Sequence, residues 1–168
     1  MPDVRQRVTC RLCGSGDLDL AVPMRPTPVA DAYVPGEKFV SGAPVYPLDL
    51  HLCHTCGHLQ LLTVISPEIL FGEYTYRSGL SASLLEHFHS MADELTSVAK
   101  LTPGDLLIDV GSNDGSLLAL FRDRGLRVAG IDPAQHIAAE ATARGLPTTA
   151  GYMNEASARQ LVAAHGQA

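Results

Sequence analysis

Cys10, Cys13, Cys53 and Cys56 are all the cysteines in this chain, and they fall into two like pairs, Cys10-Arg11-Leu12-Cys13-Gly14 and Cys53-His54-Thr55-Cys56-Gly57. Two thiolates with two residues between them can grip one tetrahedral cation from a single tight turn. Two such turns supply four sulfurs, the closed ligand set of a structural zinc site. Glycine after each second cysteine fits, because the turn calls for a positive φ and a close approach of backbone to sulfur. The 39 residues between Cys13 and Cys53 exceed the common ribbon spacing, but ligands need only converge in space. The bland alternative is a set of buried or disulfide-bonded cysteines. Disulfide frameworks belong to secreted chains, and the opening stretch MPDVRQRVTC has no apolar signal core. His51, His54 and His58 crowd the second pair but are not counted among the ligands. A metal with four protein ligands has no open position, so it is expected to hold structure and not to perform chemistry.

The second chemical motif is a glycine loop, Asp109-Val110-Gly111-Ser112-Asn113-Asp114-Gly115. A glycine-rich turn between a strand and a helix can present backbone N–H groups to an anionic ligand. Dinucleotide sites want Gly-x-Gly-x-x-Gly, the second glycine admitting the pyrophosphate, and here Asn113 stands at that position. The spacing suits a ligand without a pyrophosphate, and S-adenosylmethionine is the expected one. Asp109, Gly111, Ser112, Asn113, Asp114 and Gly115 are the candidate loop residues. Asp132, 21 positions after Gly111, is placed to accept both ribose hydroxyls. The bland reading of the loop is a helix-capping turn with no ligand.

The elements that must position these groups divide near residue 80, giving an expected zinc-binding domain over 1–80 and a partial S-adenosylmethionine-binding domain over 81–168. Residues 23–47 hold Pro23, Pro26, Pro28, Pro35, Gly36, Gly42, Pro44 and Pro47 and read as a loop without regular elements. Tyr46, Leu48, Leu50 and Leu52 alternate with polar residues or proline, and Leu59 and Leu61 do so after the second cysteine pair, predicting a hairpin whose turn is the metal knuckle. So small a domain has little core, and the metal must supply much of its folding free energy.

Ser83 and Glu86 suggest a capping box, with Leu84, Phe88, Met91, Leu95 and Val98 at helical spacing behind them. Pro103-Gly104 closes that segment. Leu106–Val110 reads as a buried parallel strand. A helix over Ser116–Arg124, a strand over Arg127–Ile131, a helix to about Arg144, a short strand at Thr148–Ala150 and a helix capped by Asn154 follow. This rhythm predicts a Rossmann-like, doubly wound α/β fold.

The combination resembles the two-domain, zinc-containing sugar C-methyltransferases. Cys10, Cys13, Cys53 and Cys56 carry the resemblance, with Pro26-Thr27-Pro28-Val29-Ala30-Asp31, Tyr74-Thr75-Tyr76-Arg77-Ser78 and Gly111-Ser112-Asn113-Asp114-Gly115. It implies methyl transfer from S-adenosylmethionine to the carbon beside the ketone of a nucleotide-linked 4-keto deoxysugar. Tyr76 is the candidate catalytic, substrate-facing group and Tyr74 the second; both could equally pack a seam between domains. Family members are longer, and their base and most sugar contacts are expected downstream of residue 168. The expectation is therefore a fragment, a truncated product or one piece of a split protein, silent in catalysis by itself and prone to self-association through an unpaired edge of Leu106–Val110.

Composition bounds the alternatives. With 168 residues, 46 % hydrophobic and 18 % charged, the chain can bury a core. A net charge of −6, with only 12 Lys and Arg, disfavours nucleic-acid binding. No apolar run reaches membrane-spanning length, and a cytoplasmic, reducing location is expected. The competing class is a non-catalytic zinc-ribbon interaction module with a degenerate Rossmann appendage.

Overall fold

A computed structural model describes residues 3–30, 33, 36, 43–72 and 74–168. Asp31, Pro35 and Gly42 of the proline-rich stretch lie outside the described residues. The chain forms two compact units, Met1–Tyr74 and Thr75–Ala168, so that Tyr76–Leu80 fold with the second.

The first unit is built from short strands. The hairpin forms as its alternation predicts: β3 (Leu50–Cys53) and β4 (Leu59–Leu61) pair antiparallel on either side of the second cysteine turn. The sequence pattern did not disclose β2 (Leu18–Val22), which adds to the free side of β3. It also did not disclose the pair formed by β1 (Val4–Gln6) and β5 (Thr63–Ile65). Strands of three residues carry too little periodicity to be read alone. Helix α1 (Pro67–Phe71) starts at Ser66, whose side chain accepts the Ile69 N–H, with proline in the first turn. In the proline-rich stretch, Thr27 and Tyr46 exchange two backbone hydrogen bonds, at 3.1 and 2.8 Å.

The second unit begins with a 3₁₀ turn at Ser78–Leu80 and then α2 (Ala82–Val98). The cap of α2 is Ser81, which accepts the Leu84 N–H, and not Ser83. The reason is conformational: Ser81 is extended, as a cap must be, whereas Ser83 already lies within the helix. Three parallel strands follow in the order β6 (Leu106–Val110), β7 (Arg127–Asp132) and β8 (Thr148–Ala150). They are linked through α3 (Ser116–Asp123) and α4 (Gln135–Ala143), and α5 (Glu155–His165) closes the unit. Asn154 caps α5 in a reciprocal box with Ser157.

Alternation along β7 explains the layering. Val128 joins Ala92, Leu118, Phe121, Ala141 and Leu146 on one face of the sheet, while Ala129 and Ile131 meet Leu161 on the other. Helices thus cover both faces of a parallel sheet, the half-Rossmann arrangement expected. Among the described residues β6 pairs only with β7, and Val110 is 58 % exposed.

Candidate metal centre and glycine-loop site

Each cysteine turn is shaped before any ion is considered. Gly14 N–H donates to Cys10 O at 3.0 Å and Gly57 N–H to Cys53 O at 2.8 Å, with φ of 79° and 73° at the glycines. Leu12 N–H points at Cys10 Sγ, 3.4 Å away. The hairpin carries the second turn, and Cys53 N–H is held by His58 O at 3.0 Å. All four sulfurs lie within 4.8 Å of one another, with Cys10–Cys56 at 3.8 Å and Cys13–Cys53 at 3.6 Å. Sulfurs bound at about 2.3 Å to a tetrahedral ion stand about 3.8 Å apart, so the donor set fits zinc.

Electrostatics point the same way. The Cys13 N–H, opposed by burial and aided by Leu12 N–H, brings the Cys10 thiol down to about 6. Cys56 has the His58 N–H in its favour, yet burial and the three neighbouring sulfurs push it up to about 12. Negative charges on sulfurs this close together repel one another, and a dication removes that conflict. Beside them Gln60 is 4 % exposed; its Oε1 accepts Arg11 N–H at 3.0 Å, while its Nε2 is buried without a hydrogen-bond partner. Such an orphan donor suits a site holding ionised sulfur. Two of the nearby histidines have other partners: His54 Nε2 meets Asp19 at 2.9 Å, and His51 Nδ1 lies 3.2 Å from Asp49 O.

In the glycine loop the backbone is bonded mostly inward. Gly111 and Ser112 N–H both reach Ile131 O, at 2.8 and 3.3 Å, and Gly115 N–H reaches Ser112 O at 3.0 Å. Asn113 N–H donates to Asp132 Oδ2 at 2.8 Å, and the other oxygen of Asp132 accepts Ala134 N–H at 2.9 Å. These amides are therefore not aimed at an external anion, contrary to the general expectation for such a turn. Gly111 has φ of 81° and open space where a Cβ would stand. Ser112 turns inward: a Cβ on Gly130 would come within 2.4 Å of its Oγ, and that Oγ is buried without a partner.

The carboxylates give the loop its character. Burial first, and the charge of Asp132 second, hold the Asp109 carboxyl above its ordinary range. Asp132 is 5 % exposed, and each oxygen retains a lone pair beyond the backbone N–H it accepts. Two carboxylates beside a space over Gly111 suit a cation that carries hydroxyl donors better than they suit a pyrophosphate.

The side chains of Asn113 and Asp114 bind the start of the unit. Asn113 Oδ1 accepts Ser78 N–H at 2.9 Å, and its Nδ2 donates to Tyr76 O at 3.0 Å. Asp114 Oδ2 accepts Gly79 N–H at 2.9 Å, and its Oδ1 accepts Ser116 N–H at 3.1 Å. Tyr76 thus stands on a segment attached to the loop. Tyr74 belongs to the first unit, its ring edge-on to Phe71 at 5.9 Å. In the sequence Arg77 is named only within a stretch that carries the resemblance, and Gln60 and Glu140 are not singled out; a glutamine on a strand next to a cysteine turn was the one signal available for Gln60.

A family model described as a zinc binding domain matches residues 10–71. The chain is 37 % identical over 166 residues to the C-methyltransferase NovU of Streptomyces niveus, covering 98 % of this chain and 39 % of NovU. It thus spans about two fifths of that relative. Two solved SAM-dependent methyltransferases, each in complex with S-adenosyl-L-homocysteine, also align. The protein from Geobacter sulfurreducens is 26 % identical with a TM-score of 0.33, over 39 % of this chain and 32 % of that one. The protein from Thiobacillus denitrificans is 24 % identical with a TM-score of 0.35, over 42 % and 32 %. Among the described residues no helix is long and apolar enough to cross a membrane.

Proposed function

We propose that this chain is part of a zinc-containing C-methyltransferase, to which it contributes the structural zinc domain and part of the S-adenosylmethionine site; the zinc-binding family match over residues 10–71 and the 37 % identity to NovU support that reading. The observation that carries the cofactor reading is the pair of carboxylates, Asp109 and Asp132, at the ends of adjacent strands beside the open face of Gly111. Asp132 keeps acceptor capacity for the two ribose hydroxyls. Asp109 offers negative charge to the cationic end of the cofactor, which would in turn favour its ionised form. Gly111 leaves room for close approach. Ser112, Asn113, Asp114 and Gly115 shape the loop, the last with a φ of 75° against Leu146. S-adenosylmethionine, when bound, supplies an electrophilic methyl group.

The substrate class we propose is a nucleotide-linked 4-keto deoxysugar, methylated at the carbon beside the ketone, in the cytoplasm. A ketone acidifies that C–H bond, so the reaction needs a base and donors for the enolate oxygen. Tyr76 is the proposed substrate-facing donor on this chain. Zinc takes no part in those steps, because four thiolates leave it no vacant position.

Calorimetry with the 168-residue chain tests the cofactor reading. S-adenosylmethionine should bind, and more tightly than NAD. Binding of NAD in preference, or absence of heat with either ligand, would overturn it and favour a non-catalytic zinc module.

A further inference from the structure

Segment Tyr76–Gly79 and the glycine loop are far apart in sequence but are joined by a reciprocal set of bonds. The first N–H groups of a 3₁₀ turn have no partner within the turn. Here they find Asn113 Oδ1 and Asp114 Oδ2, both at 2.9 Å. Asn113 Nδ2 returns a bond to Tyr76 O at 3.0 Å. Its amide oxygen receives an N–H and its amide nitrogen meets a carbonyl, so the network itself fixes the orientation of the side chain. Gly79 makes the approach feasible: a Cβ there would stand 2.6 Å from Asp114 Oδ2 and 2.8 Å from Ser116 Oγ. Arg77 adds a bidentate pair to Glu140 on α4, at 2.9 and 2.7 Å.

Asn113 has a φ of 50°, in the left-handed region, and its own N–H is held by Asp132. One residue therefore joins the carboxylate at the end of β7 to the backbone of Tyr76.

We propose that Asn113 is a positioning residue whose side chain ties Tyr76–Gly79 to the loop and does not itself contact the cofactor. The proposal rests on the reading of this loop as the S-adenosylmethionine site. Its consequence is that the substrate-facing segment and the cofactor loop move as one body, so occupancy of the loop is transmitted to Tyr76.

Asn113→Gly isolates the tether. Glycine tolerates the left-handed backbone and keeps the N–H to Asp132, while both side-chain bonds vanish. Amide exchange followed by NMR should then show the Ser78 N–H exchanging roughly five- to tenfold faster than in the wild type. Asn113→Asp keeps the acceptor for Ser78 and should restore most of that protection. Addition of S-adenosylmethionine should slow Ser78 and Gly79 exchange in the wild type and not in Asn113→Gly. The affinity lost by Asn113→Gly should be smaller than that lost by Asp132→Ala. Unchanged Ser78 exchange in Asn113→Gly overturns the tether. A loss of affinity equal to that of Asp132→Ala also overturns the proposal, by making Asn113 a ligand contact. Failure of the wild-type chain to bind S-adenosylmethionine removes the cofactor reading instead, and the ligand-free exchange rates still decide the tether.

Discussion

Asp132 accepts the backbone N–H of Asn113 at 2.8 Å, so the end of one parallel strand sets the path of the loop that leaves its neighbour. Its second oxygen does the same for Ala134 N–H at the start of the next connection. A carboxylate first read as a ligand group is thus also a structural clamp.

Asp132→Ala should cost stability as well as affinity. It leaves two N–H groups without their acceptor in a buried setting, a loss of about 2–4 kcal/mol in urea unfolding. Asp132→Asn keeps one oxygen and should fall between alanine and wild type. A neutral Asp132→Ala would mean that the loop holds its shape without the clamp.

Chelation of zinc should unfold the first unit and spare the second. Elemental analysis should give one zinc per chain, and Cys53→Ser, at a fully buried sulfur, should abolish binding. Gln60→Ala should fold with zinc but release it to a competing chelator at lower chelator concentration, with a loss of roughly 10-fold in metal affinity. Retention of amide dispersion in residues 3–72 after complete metal removal would refute the dependence.

Gly130→Ala should be poorly tolerated although alanine suits a strand better than glycine. Its Cβ would meet Ser112 Oγ at 2.4 Å and Leu118 Cδ1 at 2.9 Å, and overpacking of this kind costs about 1–3 kcal/mol. Ser112→Ala in the same chain should recover part of that loss in thermal unfolding, because it removes the nearer atom. Additive losses in the double variant would show that the two positions do not compete for space.

Asp109→Asn should raise stability at neutral pH. Burial and the charge of Asp132 raise the folded-state pKa of Asp109 above its unfolded value. The folded form therefore holds the proton more tightly, and this contribution is full below about pH 4 and lost as pH rises through the folded pKa. Asparagine does not suffer that loss, so its advantage should appear at pH 7 and disappear near pH 3. The same variant should bind S-adenosylmethionine more weakly. An advantage that does not change with pH would point to a packing effect instead.

The metal knuckles and the βαβ rhythm were legible in the sequence because each is local. Cys10 and Cys13 share one turn, as do Cys53 and Cys56, and the spacing alone brings each pair of sulfurs together. Leu106–Val110 and Arg127–Ile131 announce themselves as largely apolar runs bounded by glycine and proline. The hairpin of β3 and β4 was readable for the same reason, its turn being the second knuckle. The cap of α2 was misplaced by two residues, since Ser81 and Ser83 are equally good caps until the preceding 3₁₀ turn makes Ser81 the extended one.

Apart from the convergence of the two cysteine turns, which their shared metal chemistry announces, what lay beyond the sequence was how distant segments meet. Nothing in Leu18–Val22 says that it will pair with β3, and nothing in Asn113 says that its amide will be taken by residues 76 and 78. The loop's amides were expected to face a ligand, yet Ile131 O and Asp132 engage them first. Residue types and their spacing determined which groups this protein owns: four thiolates, two strand-end carboxylates and a glycine turn. Tertiary packing decided which of those groups are already satisfied from within and which still face outward, because a buried donor or acceptor takes whatever partner the fold brings within 3 Å or so, however far away it lies along the chain.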